Sequence, residues 1–272
     1  MILKFIKNRD FILFTIIFII LVAVGISNPN FVTLKSLSDV LTDTSILIIL
    51  ALSQMIVILI RAIDLSVASN LALSGMLISL LSQIYPDLPL IFFILLSCGI
   101  GTLLGLFNGL VIAVLKVPFI VTTLGTLSIY RGLIYFVSDG KQVYSHEFSD
   151  SFLSFIHVKF LSLTSLVWFA VCVFIIIYIL LNYTKFGRNI YALGGNPEAA
   201  KYIGINENRY IIAAYVLSGF FAGLCGYLWV ARYSVASTQI AIGFELTVIS
   251  ACVVGGISVM GGLGTVTGCL LG

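Results

Sequence analysis

Residues 163–205 read LTSLVWFAVCVFIIIYILLNYTKFGRNIYALGGNPEAAKYIGI, an apolar run followed at once by a polar, basic island. Crossing the hydrocarbon of a bilayer takes about 20 apolar residues as a helix, because every backbone N–H and C=O must find its partner inside the segment. Residues 163–183 meet that requirement, and a second apolar run starts at Tyr210. The island between them opens with Lys185 and Arg188, breaks at Gly194, Gly195 and Asn196, and restarts at Pro197, Glu198, Ala199 and Ala200. Proline at a first helical position and glutamate in a first turn are helix-start signals. The pattern predicts a short surface helix held between two membrane spans, where a lipid-embedded protein can meet a soluble partner.

The same alternation runs outward in both directions. Hydrophobic residues make up 60% of the chain and charged residues 9%, with a mean hydropathy of +1.18, which excludes a soluble domain. Spans are predicted at residues 11–26, 45–60, 65–84, 90–115, 118–137, 163–183, 210–232 and 244–256, with another beginning at Gly261. The expected fold is an all-α, polytopic transmembrane helix bundle forming one domain over residues 1–272, with residues 184–209 on one membrane face. Lys4, Lys7 and Arg9 precede the first apolar stretch, and because more spans follow, that stretch reads as an uncleaved anchor. Along the alternating spans one side collects Lys4, Lys7, Arg9, Arg61, Lys116, Lys185, Arg188, Lys201 and Arg209, and the other Lys35, Lys141 and Lys159. Arg131 and Arg232, within or at the end of spans, stand outside that tally. The bias predicts a cytoplasmic N-terminus, so the net charge of +3 reports topology and not nucleic-acid binding.

Several chemistries find no support. Cys98, Cys172, Cys225, Cys252 and Cys269 all lie in apolar runs without metal or redox spacing and read as small buried hydrophobes. His146 and His157 fall in the loop from Ser138 to Ser162, without a second ligand cluster, and read as surface residues. No phosphate-binding glycine loop with its lysine occurs, so any ATP-driven role needs another subunit. There is no nucleophile–base pair, paired carboxylate motif or metal spacing, so the chain does not read as an enzyme. Glycines four apart at Gly101, Gly105 and Gly109, at Gly219 and Gly223, and at Gly264, Gly268 and Gly272 predict close helix packing within one bundle.

Polar groups at membrane depth carry more information, since a charge at the bilayer centre costs about 2.5–3.5 kcal/mol on insertion scales. Arg61 and Asp64, three residues apart where one span gives way to the next, form either a self-neutralising pair at a helix end or part of a pathway. In the second reading Asp64 lines a wet cavity with Ser66, Ser69 and Asn70. Asn108, Thr122, Thr123, Tyr130, Arg131 and Glu245 are further pathway candidates, Glu245 being equally readable as an interfacial residue. A short internal repeat aligns residues 62–66 with residues 256–260, as in transporters built from duplicated halves. It implies an unfinished second half, so the chain looks truncated after Gly272.

Taken in order, residues 61–69, 105–109, 118–127, 130–132, 187–205 and 255–265 resemble the membrane permease subunit of the ribose-type bacterial ABC importers. That group also moves xylose, arabinose, galactose, rhamnose and the furanose-like autoinducer. The similarity covers nearly the whole chain. It departs from the family at Arg61 and Ala62, where two glycines usually precede Ile-Asp, and residues 138–141 and 223–230 are most similar to rhamnose-type permeases. The resemblance implies that Asn196, Pro197, Glu198, Ala199, Ala200 and Gly204 form a coupling helix docked in a groove of an ATPase subunit. Ala199 and Ala200 would offer a small face, Glu198 a charge, and Gly204 the turn back to the next span. It further implies cytoplasmic ABC ATPase subunits using Mg-ATP, a periplasmic or lipid-anchored sugar-binding protein, a second permease copy or paralogue, and residence in the bacterial inner membrane. The chain itself is expected to bind no cofactor. Two rivals stand beside this reading: a branched-chain amino-acid permease of the same broad group, and an ion-driven secondary transporter using Asp64 and Glu245.

Overall fold

A computed structural model describes residues 9–154 and 158–272; Lys4, Lys7 and His157 lie outside the described residues. Among the described residues seven helices are long and apolar enough to cross a membrane. They are α1 (Arg9–Ser27), α2 (Leu34–Leu59), α3 (Val67–Ile84), α4 (Leu90–Ala113), α5 (Phe119–Ser138), α7 (Ser165–Tyr183) and α10 (Glu207–Tyr233). Shorter helices are α6 (Asp150–Ser154), α8 (Lys185–Gly195), α9 (Pro197–Tyr202), α11 (Phe244–Val254) and α12 (Val266–Leu271). A small antiparallel hairpin, β1 (Lys159–Phe160) with β2 (Leu163–Thr164), precedes α7. The expected polytopic helical bundle is what forms.

At the centre stands α2, buried from Ile49 to Leu59 and largely apolar there, as expected of a helix enclosed by neighbours. It is longer than the predicted span 45–60, because residues 34–44 are polar yet helical. Thr33 caps the start by accepting from the Ser36 N–H at 3.2 Å. Thr42 donates to the Ser38 carbonyl at 2.7 Å and Ser45 to that of Leu41 at 2.6 Å, so their hydroxyls are satisfied within the helix. Ser38 and Thr42 also bind the hairpin, through the Ser162 carbonyl at 3.1 Å and the Thr164 hydroxyl at 2.9 Å.

The tightest seam joins α4 to α10 backbone to backbone. A methyl added at Gly101 would sit 2.6 Å from the Gly223 nitrogen, and one at Gly105 would sit 2.9 Å from the Gly219 Cα. Ser97 donates across the seam to the Gly223 carbonyl at 2.6 Å. Two of the predicted glycine stripes therefore do pack helices inside the bundle. The third is not one helical stripe, since Gly264 lies in a turn at φ +146° while Gly268 and Gly272 abut Gly255.

The predicted span 244–256 is half a span. α11 has 11 residues, about 16 Å at 1.5 Å per residue, against a hydrocarbon core of about 30 Å. It is bounded by Gly243 at φ +77° and by the turn at Gly255 and Gly256, and the segment before it is held where Arg131 donates to the carbonyls of Ile240 and Ala241. The Gly-rich turn after α11 ends beside Leu59, whose carbonyl accepts from the Gly262 N–H at 2.9 Å. Four cysteines are buried as expected; Cys172 is exposed, on the outward face of α7. His146 is exposed and stacks on Tyr144 with ring centroids 6.1 Å apart.

Candidate functional site

The polar island folds as two helices with a break at Asn196. Thr184 caps α8 by accepting from the Gly187 N–H at 3.3 Å, and Asn196 caps α9 by accepting from the Ala199 N–H at 3.0 Å. Pro197 takes the first helical position of α9. Gly204, at φ +83°, then reverses the chain, with the Ile205 N–H returning to the Ala200 carbonyl at 3.0 Å. Glu198, Ala199 and Lys201 face outward. Ala200 does not: it is 2% exposed and anchors α9 inward, because the cap and the closing turn point that side of a six-residue helix at the bundle. The outward surface is instead crowned by Tyr202, 90% exposed, and Ile203, 74% exposed. Both side chains lie on the segment between α7 and α10, open to a protein partner or to the bilayer surface. Their signal in sequence was an apolar pair directly before Gly204 at the end of a polar helix.

Behind this surface α8 is wedged against two chain breaks. The Arg61 Nε donates to the Gly194 carbonyl at 2.7 Å and its Nη2 to that of Gly195 at 2.8 Å. These are last-turn carbonyls that α8 cannot satisfy itself, and a cation at a helix C-terminus is favourable. Arg61 reaches them because it sits at φ +65°, where the chain leaves α2. The expected Arg61–Asp64 pair therefore does not form, since each charge serves a different helix end. Gly262 lies on the other side, its N–H on the Leu59 carbonyl, and the Tyr191 hydroxyl donates to the Gly264 carbonyl at 2.9 Å. A methyl at Gly194 would come within 2.5 Å of the Gly262 nitrogen and 2.9 Å of the Leu59 carbonyl carbon.

The two breaks close alike. After α2 the Ala62 N–H returns to the Val57 carbonyl at 3.2 Å; after α11 the Ile257 N–H returns to that of Cys252 at 3.0 Å. Arg61 and Gly256 supply the left-handed residue in each. Side chains then cap the turns, Asp64 accepting from the Ser66 N–H at 2.9 Å and Ser258 from the Met260 N–H at 3.2 Å. The short repeat in sequence thus has a geometric counterpart.

Asp64 is 2% exposed and organises a polar core. Its carboxylate accepts from the Ser66 hydroxyl at 2.6 Å and the Ser218 hydroxyl at 3.2 Å, besides the Ser66 N–H. Burial pushes this carboxyl, in the turn between two spans, above its ordinary value, and those hydrogen bonds draw it back. Asn108 donates to the Ser66 hydroxyl oxygen at 2.8 Å, Ser69 to the Ser66 carbonyl at 2.8 Å, and Asn70 to the Gly101 carbonyl at 3.1 Å. Thr123 donates to Phe119 within its own helix at 2.8 Å, and Tyr215 to the Ile63 carbonyl at 3.2 Å. Thr122 is buried in α5 without a partner for its hydroxyl, as is the Asn108 carbonyl oxygen. Asp64, Ser66, Ser69 and Asn70 bind one another and nearby backbone in the packed interior, with Asp64 at the start of α3. Arg131 and Glu245 stand apart from this core and are half-buried where α11 begins. Among the described residues no group of three or more His, Cys, Asp or Glu converges as a metal site.

Comparison with known proteins gives this geometry a context. Residues 36–272 match the family described as branched-chain amino acid transport system / permease component. The chain is 34% identical to a galactose/methyl galactoside import permease of Haemophilus influenzae, over 98% of this chain and 85% of the relative. It is 37% identical to a ribose import permease of the same organism, over 98% and 82%. An autoinducer 2 import system permease of Salmonella typhi is 35% identical, over 99% and 77%. No solved structure matches.

Proposed function

Because this chain belongs to the branched-chain amino acid transport system / permease component family, we propose that it is the membrane permease of an ATP-binding-cassette importer carrying a monosaccharide across the bacterial inner membrane. The observation that carries the reading is the solvent-facing Tyr202 and Ile203 on a helix pair wedged, through Gly194 and Arg61, against both chain breaks. A force applied to α9 passes to α8, whose Gly194 lies backbone to backbone against Leu59 and Gly262. Cytoplasmic ATPase subunits that close on Mg-ATP would supply that force, and the island, with the basic residues around it, would face the cytoplasm together with the N-terminus. A sugar-binding protein on the other side delivers cargo, and a second permease copy or paralogue completes the path.

A sugar is favoured over an amino acid by the import permeases that this chain is similar to. Rhamnose heads the candidate cargoes because residues 138–141 and 223–230 resemble rhamnose-type permeases. Ion-driven transport through Asp64 gains nothing from the geometry, since its carboxylate is occupied in holding the start of α3. The test is Glu198→Arg in the reconstituted complex. Hydrolysis of ATP should continue while sugar uptake falls, with membrane insertion intact; normal uptake by that variant contradicts the assignment.

A further inference from the structure

Beside the island's outward surface, α8 and α10 converge at the level of the span ends. The Phe186 and Tyr210 rings lie 5.7 Å apart between centroids there, and the Asn189 amide donates to the Tyr210 hydroxyl. Between these side chains and the turn at Gly204 opens a cavity of about 500 Å³, within the roughly 300–1,000 Å³ of small-molecule sites. Asn206, Arg209, Tyr210 and Ala213 are spaced three, one and three residues apart, so they share the face of α10 that lines it. The depth of the cavity follows from the length of that helix. α10 has 27 residues, about 40 Å at 1.5 Å per residue, against a hydrocarbon core of about 30 Å. Centred on the bilayer, it holds its first turn among the lipid headgroups. Ala213, six residues in (213 minus 207) and about 9 Å along the axis, lies just inside the hydrocarbon.

The lining is polar at the mouth and apolar at the base. Arg209 is exposed, and among the described residues its guanidinium has no hydrogen-bond or ion-pair partner. Glu207, two residues before it, faces another side of the helix and lines the separate cavity shared by Arg61 and Lys116. Tyr210 accepts from Asn189, which leaves its own O–H to donate. Phe186, Ile205 and Ala213, each half-buried, supply the apolar part. Over residues 184–209 the cations Lys185, Arg188, Lys201 and Arg209 outnumber the acids Glu198 and Glu207, so the local field favours an anion. We infer, resting on the membrane-permease reading, that this cavity holds the headgroup of an anionic phospholipid. Arg209 and Tyr210 bind the phosphodiester oxygens, for which a guanidinium is the matching donor, and the glycerol and first acyl carbons lie on Phe186 and Ala213. A free phosphate would satisfy Arg209 and leave the apolar base wet, and a choline headgroup would bring a second cation beside Arg209. The bound lipid lies against Gly204, where the chain passes from α9 to α10, and so steadies the turn beneath Tyr202 and Ile203.

The test uses the full chain purified in detergent, with phosphatidylglycerol or phosphatidylcholine titrated in and the bound lipid counted by native mass spectrometry. Phosphatidylglycerol should be retained roughly 10-fold better. Arg209→Gln should cut that retention roughly 10-fold, the effect of one lost charge-assisted contact. Ala213→Phe, which fills the base, should lower it too. Arg188→Gln removes the same charge from an exposed position outside the cavity and should leave retention unchanged. Arg209 is exposed, so its variant keeps the fold, and thermal unfolding confirms this for each protein. Equal retention of the two lipids, or equal losses in Arg188→Gln and Arg209→Gln, would overturn the inference. So would competition by glycerol phosphate at the lipid's own concentration, which assigns the site to a free phosphate, or release of the lipid by purified ATPase, which assigns it to the docking surface. Uptake that needs no ATPase would defeat the permease reading and leave lipid retention as it is, so the two failures are distinguishable.

Discussion

Gly194→Ala is the sharpest test of the wedge. Its new methyl would lie 2.5 Å from the Gly262 nitrogen and 2.9 Å from the Leu59 carbonyl carbon, and closer still to the Leu59 carbonyl oxygen. These are backbone atoms and cannot rotate aside. An ordinary non-bonded separation is about 3.5 Å, and the Leu59 carbonyl oxygen is the nearest obstacle, so α8 must retreat by more than about 1 Å. Overpacking of this kind costs about 1–3 kcal/mol. Loss of the Gly262-to-Leu59 hydrogen bond adds about 1 kcal/mol, for roughly 2–4 kcal/mol together. Neighbouring Gly195 has open space where its methyl would go, so Gly195→Ala is the matched control. The assay is paired: thermal unfolding in detergent, and sugar moved per ATP hydrolysed in the reconstituted complex. Gly194→Ala should lower both, while Gly195→Ala should change neither. Identical behaviour of the two variants would refute the claim that α8 bears directly on both chain breaks.

Three further outcomes follow from the same geometry. Tyr202→Ser and Ile203→Ser each remove an apolar anchor worth about 1.5–3 kcal/mol on burial, so each should weaken binding of the purified ATPase roughly 10–100-fold by titration. Asp64→Ala strands the Ser66 N–H and the Ser66 and Ser218 hydroxyls and should cost more stability than Asp64→Asn, which keeps an acceptor and should lose about 1–3 kcal/mol; equal melting temperatures would count against the capping role. The ion pair of Arg232 with Asp43, 2.7 Å long, has side chains 35% and 58% exposed, so Asp43→Asn should shift stability by less than about 1 kcal/mol.

Much of this was legible in the chain. Long apolar runs fix helices through lipid because no other element satisfies the backbone there, and the island's break and restart were written in Gly194, Gly195, Asn196 and Pro197. Glycine spacing announced the α4–α10 seam, though not which helices would meet. Three features were hidden for physical reasons. The polar start of α2 is helical because Ser and Thr hydroxyls bond within the helix and to the hairpin, a compensation that propensity does not display. Arg61 and Asp64 are neighbours in sequence, yet a left-handed residue turns one toward α8 and leaves the other at α3. The half-length of α11 was hidden because the turn before it is held by Arg131, more than 100 residues upstream, through the Ile240 and Ala241 carbonyls.

The central claim is that a separate ATPase drives this chain through α9. Uptake of labelled rhamnose, ribose and galactose into liposomes holding the permease, with ATPase and binding protein added or withheld, tests it most directly. The account predicts accumulation only when both are present with Mg-ATP, and its loss on Glu198→Arg. Accumulation driven by an ion gradient with the ATPase withheld would contradict it.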